Sequence, residues 1–208
     1  MRKGLFPVLS SGVLVLALGI GTSAATATTT TWTISPGGTV TGTAGKTIVT
    51  DTNTGTQVVC TSSSFGATLK SGTGKINPLG QVTAVAYNSC TVSGSGFSIT
   101  SFASSTSPWH LRGATYSSGL THGQVSNIQG SFAGPLGTCS GTFAGTSATT
   151  PGSVRVIYNN STGVLTTSGG NAHAWNVQGA CFGHINTGDA VTIVGHYKIS
   201  PAQTITSP

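Results

Sequence analysis

The densest group of chemically capable side chains lies in Ser107–Gly119, SPWHLRGATYSSG, where Trp109, His110 and Arg112 stand almost side by side. An imidazole and a guanidinium on one face can together meet an anionic or polar ligand, and with a carboxylate beside them they could move a proton. Carboxylates are the scarce component. The chain has only Asp51 and Asp189, and no Glu. A glycosidase of the common kind would need both, one on each side of the scissile bond. A Ser-His-Asp hydrolase would need one of them set against a histidine. Both acids sit in turn-like contexts, TDTNTG and NTGD, where a short carboxylate usually caps backbone N–H groups. No G-x-S-x-G elbow occurs, so the hydrolase is the weaker alternative.

The five histidines, His110, His122, His173, His184 and His196, form no H-x-H or H-x3-H pair. A zinc site would have to be assembled from single residues on separate strands. GTAGKT (42–47) lacks the P-loop spacing. No cofactor and no metal is expected, and no catalytic residue is assigned. Binding is less constrained. Trp32, Trp109 and Trp175, with four tyrosines, could stack on sugars or line an apolar groove, although strand aromatics otherwise fill a core. The candidate ligand-binding residues are Trp109, His110, Arg112 and Trp175.

These residues must be positioned by strands. Glu is absent, Gly interrupts most windows, and short β-branched runs recur between Gly, Asn, Pro and Ser. The runs are 38–44, 46–51, 56–61, 65–71, 80–87, 96–102, 108–113, 123–134, 137–145, 152–159, 163–168, 172–179 and 189–199. This spacing predicts an all-β fold, an antiparallel sandwich or barrel of about ten to thirteen short strands. NNSTG (159–163) reads as a hairpin turn, and NTGD (186–189) as the turn into the last strand. In that strand Val191, Ile193 and Tyr197 share one face, and Thr192, His196 and Lys198 share the other. The same alternation puts Trp109 and Leu111 on one side of 108–113 and His110 and Arg112 on the other. A weak echo links CTSSSFGATL with CSGTFAGT, each followed by a strand ending in Tyr-Asn, so two weakly related halves are conceivable. The Thr/Ala tract at 24–31 and the terminal ISPAQTITSP read as loosely ordered ends.

Residues 1–24 have the form of a signal peptide: MRK, then the apolar GVLVLALGIG (12–21), then small residues that permit cleavage after Ala24 or as late as Ala27. The apolar run is too short for a spanning helix, and no transmembrane segment is expected. One secreted domain, 25–208, follows. Loss of Arg2 and Lys3 lowers the net charge from +6 to +4. The remaining bases are scattered, without the basic stripe a nucleic-acid binder needs. Four cysteines in an exported chain read as two disulfides. Three pairings are possible. Cys60–Cys90 with Cys139–Cys181 is favoured, because each then closes a local group of strands.

The order of CTSSSFGATLKSGTG, VTAVAYNSC, SPWHLRG, GTCSGTFAG, VRVIYNNSTGVL and HYKISP behind an export signal resembles small secreted β-rich proteins of actinobacteria without an assigned function. It is also loosely similar to the alkane-oxidation activator PraB of pseudomonads. The resemblance implies an extracellular accessory or matrix protein of bacterial origin. The expectation is therefore a secreted, non-catalytic surface or matrix protein binding a glycan, the cell wall or an apolar ligand. The alternatives are a secreted Ser/His/Asp hydrolase and a self-assembling structural protein, since weakly charged strand edges invite pairing.

Overall fold

The computed structural model describes residues 30–135, 138–179, 181 and 184–208; the expected signal peptide lies outside them. Sixteen strands run in chain order among the described residues. They are β1 (Trp32–Ser35), β2 (Gly38–Ala44), β3 (Thr47–Asp51), β4 (Gln57–Leu69), β5 (Gly72–Gly74), β6 (Gly80–Val92), β7 (Ser95–Ser101) and β8 (Trp109–Ser117). The rest are β9 (Leu120–Ile128), β10 (Gly130–Ala133), β11 (Cys139–Ala144), β12 (Gly152–Asn159), β13 (Val164–Ser168), β14 (Ala172–Gly179), β15 (Ala190–Ser200) and β16 (Thr204–Thr206). The described fold is all-β, and every strand pairing in it is antiparallel.

Thirteen strands form one sheet that closes on itself twice. The first closed ring runs β2–β4–β6–β8–β9–β12–β13–β15 and back to β2. The second runs β3–β4–β6–β7–β10–β11–β14–β15 and back to β3. The two barrels share β4, β6 and β15. Each shared strand is long enough to pass from one to the other. In β4, Ser63–Leu69 pairs with β2, and Gln57–Cys60 pairs with β3. In β15, Lys198–Ser200 pairs with β2, and Val191–Val194 pairs with β3. The barrels are thus stacked end to end. Strands from early and late in the sequence build both, so neither barrel is a sequence half.

A small sheet, β16–β1–β5, packs against the first barrel. Trp32, Ile34 and Ile205 from it are buried in the barrel core. Trp32 fits because β8 has glycine at 113: a Cβ there would lie 2.4 Å from the indole ring. The C-terminal ISPAQTITSP is therefore not loose. Pairing of Thr204–Thr206 with β1 orders it, as does the buried Gln203, whose side chain accepts from Gly37 N.

The strand expectations differ from the structure mainly in joins. The runs 56–61 and 65–71 form one strand, because the intervening serines continue the ladder instead of turning it. The run 123–134 splits into β9 and β10. The NNSTG hairpin forms as read: Asn159 Oδ1 accepts from Ser161 N and Thr162 N, and Gly163 takes a φ of 63°. Both disulfides are the favoured ones, Cys60–Cys90 and Cys139–Cys181. Cys60 and Cys90 face each other directly across β4 and β6. All four cysteines lie in the core of the second barrel.

Candidate functional site

Strand alternation in a closed ring sends every second side chain inward. In the first barrel this produces a cavity of about 90 Å³ to which all eight strands contribute. Val125, Val154, Leu165 and Trp109 are typical of its wall. Its polar lining groups are nearly all satisfied locally. Tyr158 Oη donates to Gln203 O at 2.8 Å, and Thr121 Oγ1 donates to Ile205 O at 3.2 Å. Burial pushes the Tyr158 phenol above its ordinary ionisation range. The exception is Thr167, which alternates with Leu165 on β13 and so points inward. Its Oγ1 is buried and has no hydrogen-bond partner among the described residues.

The second barrel encloses a cavity of about 50 Å³, again lined from all eight of its strands. Phe97 and Phe132 stack in it with ring centroids 5.6 Å apart. Tyr87 and Ile193 line both cavities and form the waist between them. Desolvation, reinforced by the neighbouring Tyr197, drives the Tyr87 phenol far above its usual range. A buried hydroxyl relay also crosses the waist. Thr47 Oγ1 meets Ser63 Oγ at 2.6 Å, and Ser63 Oγ donates to Tyr197 Oη at 3.0 Å.

The wall of the second cavity includes one of the chain's two acids, Asp51. On β3, Thr47, Val49 and Asp51 share the inward face, and Asp51 is only 3 % exposed. Its Oδ1 accepts from Asn53 N at 2.9 Å and Thr54 N at 3.0 Å, which is the expected turn cap. Asp189 is 8 % exposed and caps its own turn, accepting through Oδ2 from Asn186 N at 2.7 Å. Yet the two carboxyls, from turns far apart in sequence, also lie within hydrogen-bonding reach of each other. Among the described residues, no N–H group donates to Asp51 Oδ2. Burial first, and then the neighbouring Asp189, raise the Asp51 carboxyl above its ordinary range, against the lowering by the Thr54 and Asn53 N–H groups. The only two acids of the chain are a facing pair.

The four candidate binding residues do not all converge: Trp109 and Arg112 line the first cavity, and His110 and Trp175 line neither. Trp109 is 5 % exposed and belongs to the first cavity. His110 alternates to the opposite face of β8, whereas Arg112, expected beside it, also lines the first cavity. Asn127 Nδ2 donates to His110 Nδ1 at 3.3 Å, and Arg112 donates to Ser126 Oγ at 3.2 Å and Asn77 Oδ1 at 3.3 Å. Trp175 stands on β14 of the other barrel, with Nε1 donating to Gly145 O at 2.9 Å. The acid that His110 and Arg112 would need for proton transfer is held in the second barrel by its twin.

Four of the five histidines have ring hydrogen bonds among the described residues: Asn127 for His110, Asn171 O for His173, Thr56 for His184 and Thr166 for His196. None is an aspartate. Among the described residues, no three His, Cys, Asp or Glu side chains come together as a metal site. No helix among them is long and apolar enough to cross a membrane.

Fold and site together define a disulfide-braced, all-β double barrel with apolar interiors. Compared with known proteins, the chain matches no family model, no curated protein and no solved structure.

Proposed function

We propose that this is a secreted, non-catalytic protein of the cell surface or extracellular matrix that takes a small apolar ligand into its barrels. The observation that carries this reading is the first cavity, a hydrocarbon-walled space in whose wall the buried Thr167 Oγ1 has no hydrogen-bond partner among the described residues. Eight-stranded barrels are wide enough to hold one small ligand, and at about 10–15 Å³ per water-sized group a cavity of about 90 Å³ takes roughly six to nine heavy atoms. Of the ligand classes considered, an apolar one is favoured over a glycan. Trp32 and Trp109 are buried inside the first barrel and offer no open stacking face. The bonding of both aspartates and of the histidines favours binding over hydrolysis. Two disulfides fit an oxidising, extracellular setting. Closure of both rings leaves their strands paired on each side, which favours this reading over edge-driven self-assembly.

The test is a methyl NMR titration of the 25–208 protein with benzene and n-hexanol. The expected result is saturable shifts at Val125, Val154 and Leu165. Shifts confined to surface methyls would overturn the reading. So would turnover of an ester, peptide or glycoside that is lost on changing Asp51 or Asp189.

A further inference from the structure

The first cavity has one polar point in its apolar wall, and the place of that point narrows what can fill the space. Thr167 stands where β13 closes the ring, with Val156 of β12 on one side and Gly195 of β15 on the other. Val156 is buried and apolar. Gly195 has no side chain, and Tyr197 folds over it: a Cβ at 195 would lie 2.9 Å from Tyr197 Cε2. Neither neighbour bonds the hydroxyl, so Thr167 Oγ1 is buried in the cavity wall without a partner among the described residues. Gly195 alternates with Ile193 and Tyr197 on the inward face of β15, and Ile193 belongs to the waist. The hydroxyl therefore marks the waist end of the cavity.

A buried hydroxyl without a partner costs free energy, and a ligand oxygen placed against it removes that cost. The hydroxyl can donate to a carbonyl oxygen, or donate to or accept from another hydroxyl. A charged head is disfavoured. Neither acid lines this cavity. Burial raises the lining phenols of Tyr87 and Tyr158 above their ordinary range, so both stay neutral. Arg112 also lines the cavity, but its guanidinium donates to Asn77 Oδ1 and to Ser126 Oγ. Ser126 alternates with the inward Val125 and so stands on the outer face of β9. A carboxylate inside would be desolvated against hydrocarbon with no cation turned to meet it.

A pure hydrocarbon would fill the space and leave the hydroxyl unmatched. We infer that the first barrel binds an uncharged hydrocarbon carrying a single oxygen, as an alcohol, phenol or ketone. Its oxygen would meet Thr167 Oγ1 at the waist end, and its body would lie among Val125, Val154 and Leu165. This rests on the reading that the barrel takes a small apolar ligand, and it adds the functional group that the ligand bears.

The experiment compares phenol with toluene, which carries a methyl in place of the hydroxyl, and with benzoate. Each is titrated at pH 7 into the 25–208 protein and its Thr167→Val and Thr167→Ser variants, following the methyls of Val125, Val154 and Leu165 by NMR. Thr167→Val should weaken phenol relative to toluene by at least about threefold, the loss of one net hydrogen bond. Thr167→Ser keeps the hydroxyl and should keep the wild-type ratio of phenol to toluene affinity. A ratio unchanged by Thr167→Val would overturn the inference. So would a ratio lowered equally by Thr167→Ser, since the hydroxyl would then not be its cause. Benzoate binding more tightly than phenol would also overturn it, by assigning the head to Arg112. If toluene saturates these methyls while the ratio ignores Thr167, only this inference fails. If neither toluene nor phenol enters, the apolar-ligand reading fails with it.

Discussion

Replacing Thr167 by valine tests whether the first cavity is built as described. Valine has nearly the same shape, takes equally well to a strand, and exchanges one hydroxyl for a methyl. The hydroxyl is buried without a partner, a state that costs about 1–3 kcal/mol. The added methyl meets Leu165, Val154 and Val156 across a hydrocarbon wall and contributes up to about 0.8 kcal/mol. Some of the hydroxyl cost is already relieved wherever water enters the cavity, so the net gain expected is about 1–2 kcal/mol. For a chain of this size each kcal/mol raises Tm by about 2–4 °C, which gives about 2–8 °C. Urea unfolding of ligand-free protein, with the disulfides intact, measures the free energy, and calorimetry measures Tm. The control is Thr166→Val, one residue away on the outer face, where Thr166 Oγ1 pairs with His196 Nδ1 at 3.1 Å. It should stay within about 0.5 kcal/mol of wild type. Destabilisation by Thr167→Val would refute the reasoning, since it would mean that the hydroxyl already has a partner.

Three further expectations follow from the fold. Because the folded Asp51 carboxyl titrates above its unfolded value of 3.8, its stabilising contribution is complete below that value and is lost as pH climbs through the raised one; urea melts from acid to neutral pH should show this decline, and Asp51→Asn should flatten it. Trp32→Ala should cost about 3–5 kcal/mol, because the indole is 2 % exposed in the first core; a loss below 1 kcal/mol in the same melts would mean that the small sheet is not part of that core. Replacing either cystine by two alanines should cost about 3.5–4 kcal/mol by loop entropy, with sequence separations of 30 and 42, and thermal unfolding of each variant checks it.

Much of the fold was legible in local pattern. The run 38–44 coincides with β2, and the hairpin at 159–163 follows directly from Asn and Gly chemistry. The inward face of β15 was readable too, with Ile193 and Tyr197 buried and His196 and Lys198 exposed. What local pattern could not carry was pairing between distant segments. β1, β5 and β16 have only three or four residues each and are ordered by one another. The serines 62–64 have the composition of a turn. They stay extended because Ser62–Ser64 continue the pairing with β6 and Ser63 joins the buried relay at the waist. The candidate residues were conspicuous by type alone: topology brings Trp109 and Arg112 to the first cavity and sets His110 and Trp175 elsewhere. Asp51 and Asp189 were each correctly read as turn caps. That a chain with two acids brings both to one point depends on ring closure alone. Their rarity was the one available hint.

The strands β4, β6 and β15 belong to both barrels, and this constrains how the molecule can come apart. Two barrels joined by a linker could melt in succession. Here, opening the second would strip half of each of three strands whose other halves remain hydrogen-bonded in the first. Amide exchange in the two interiors should therefore report a single, global opening event, slowest along the shared strands. The same sharing bears on inheritance. No contiguous cut through the gene yields one barrel, so duplication or exchange of a segment cannot copy half of this architecture. It can be passed on only whole.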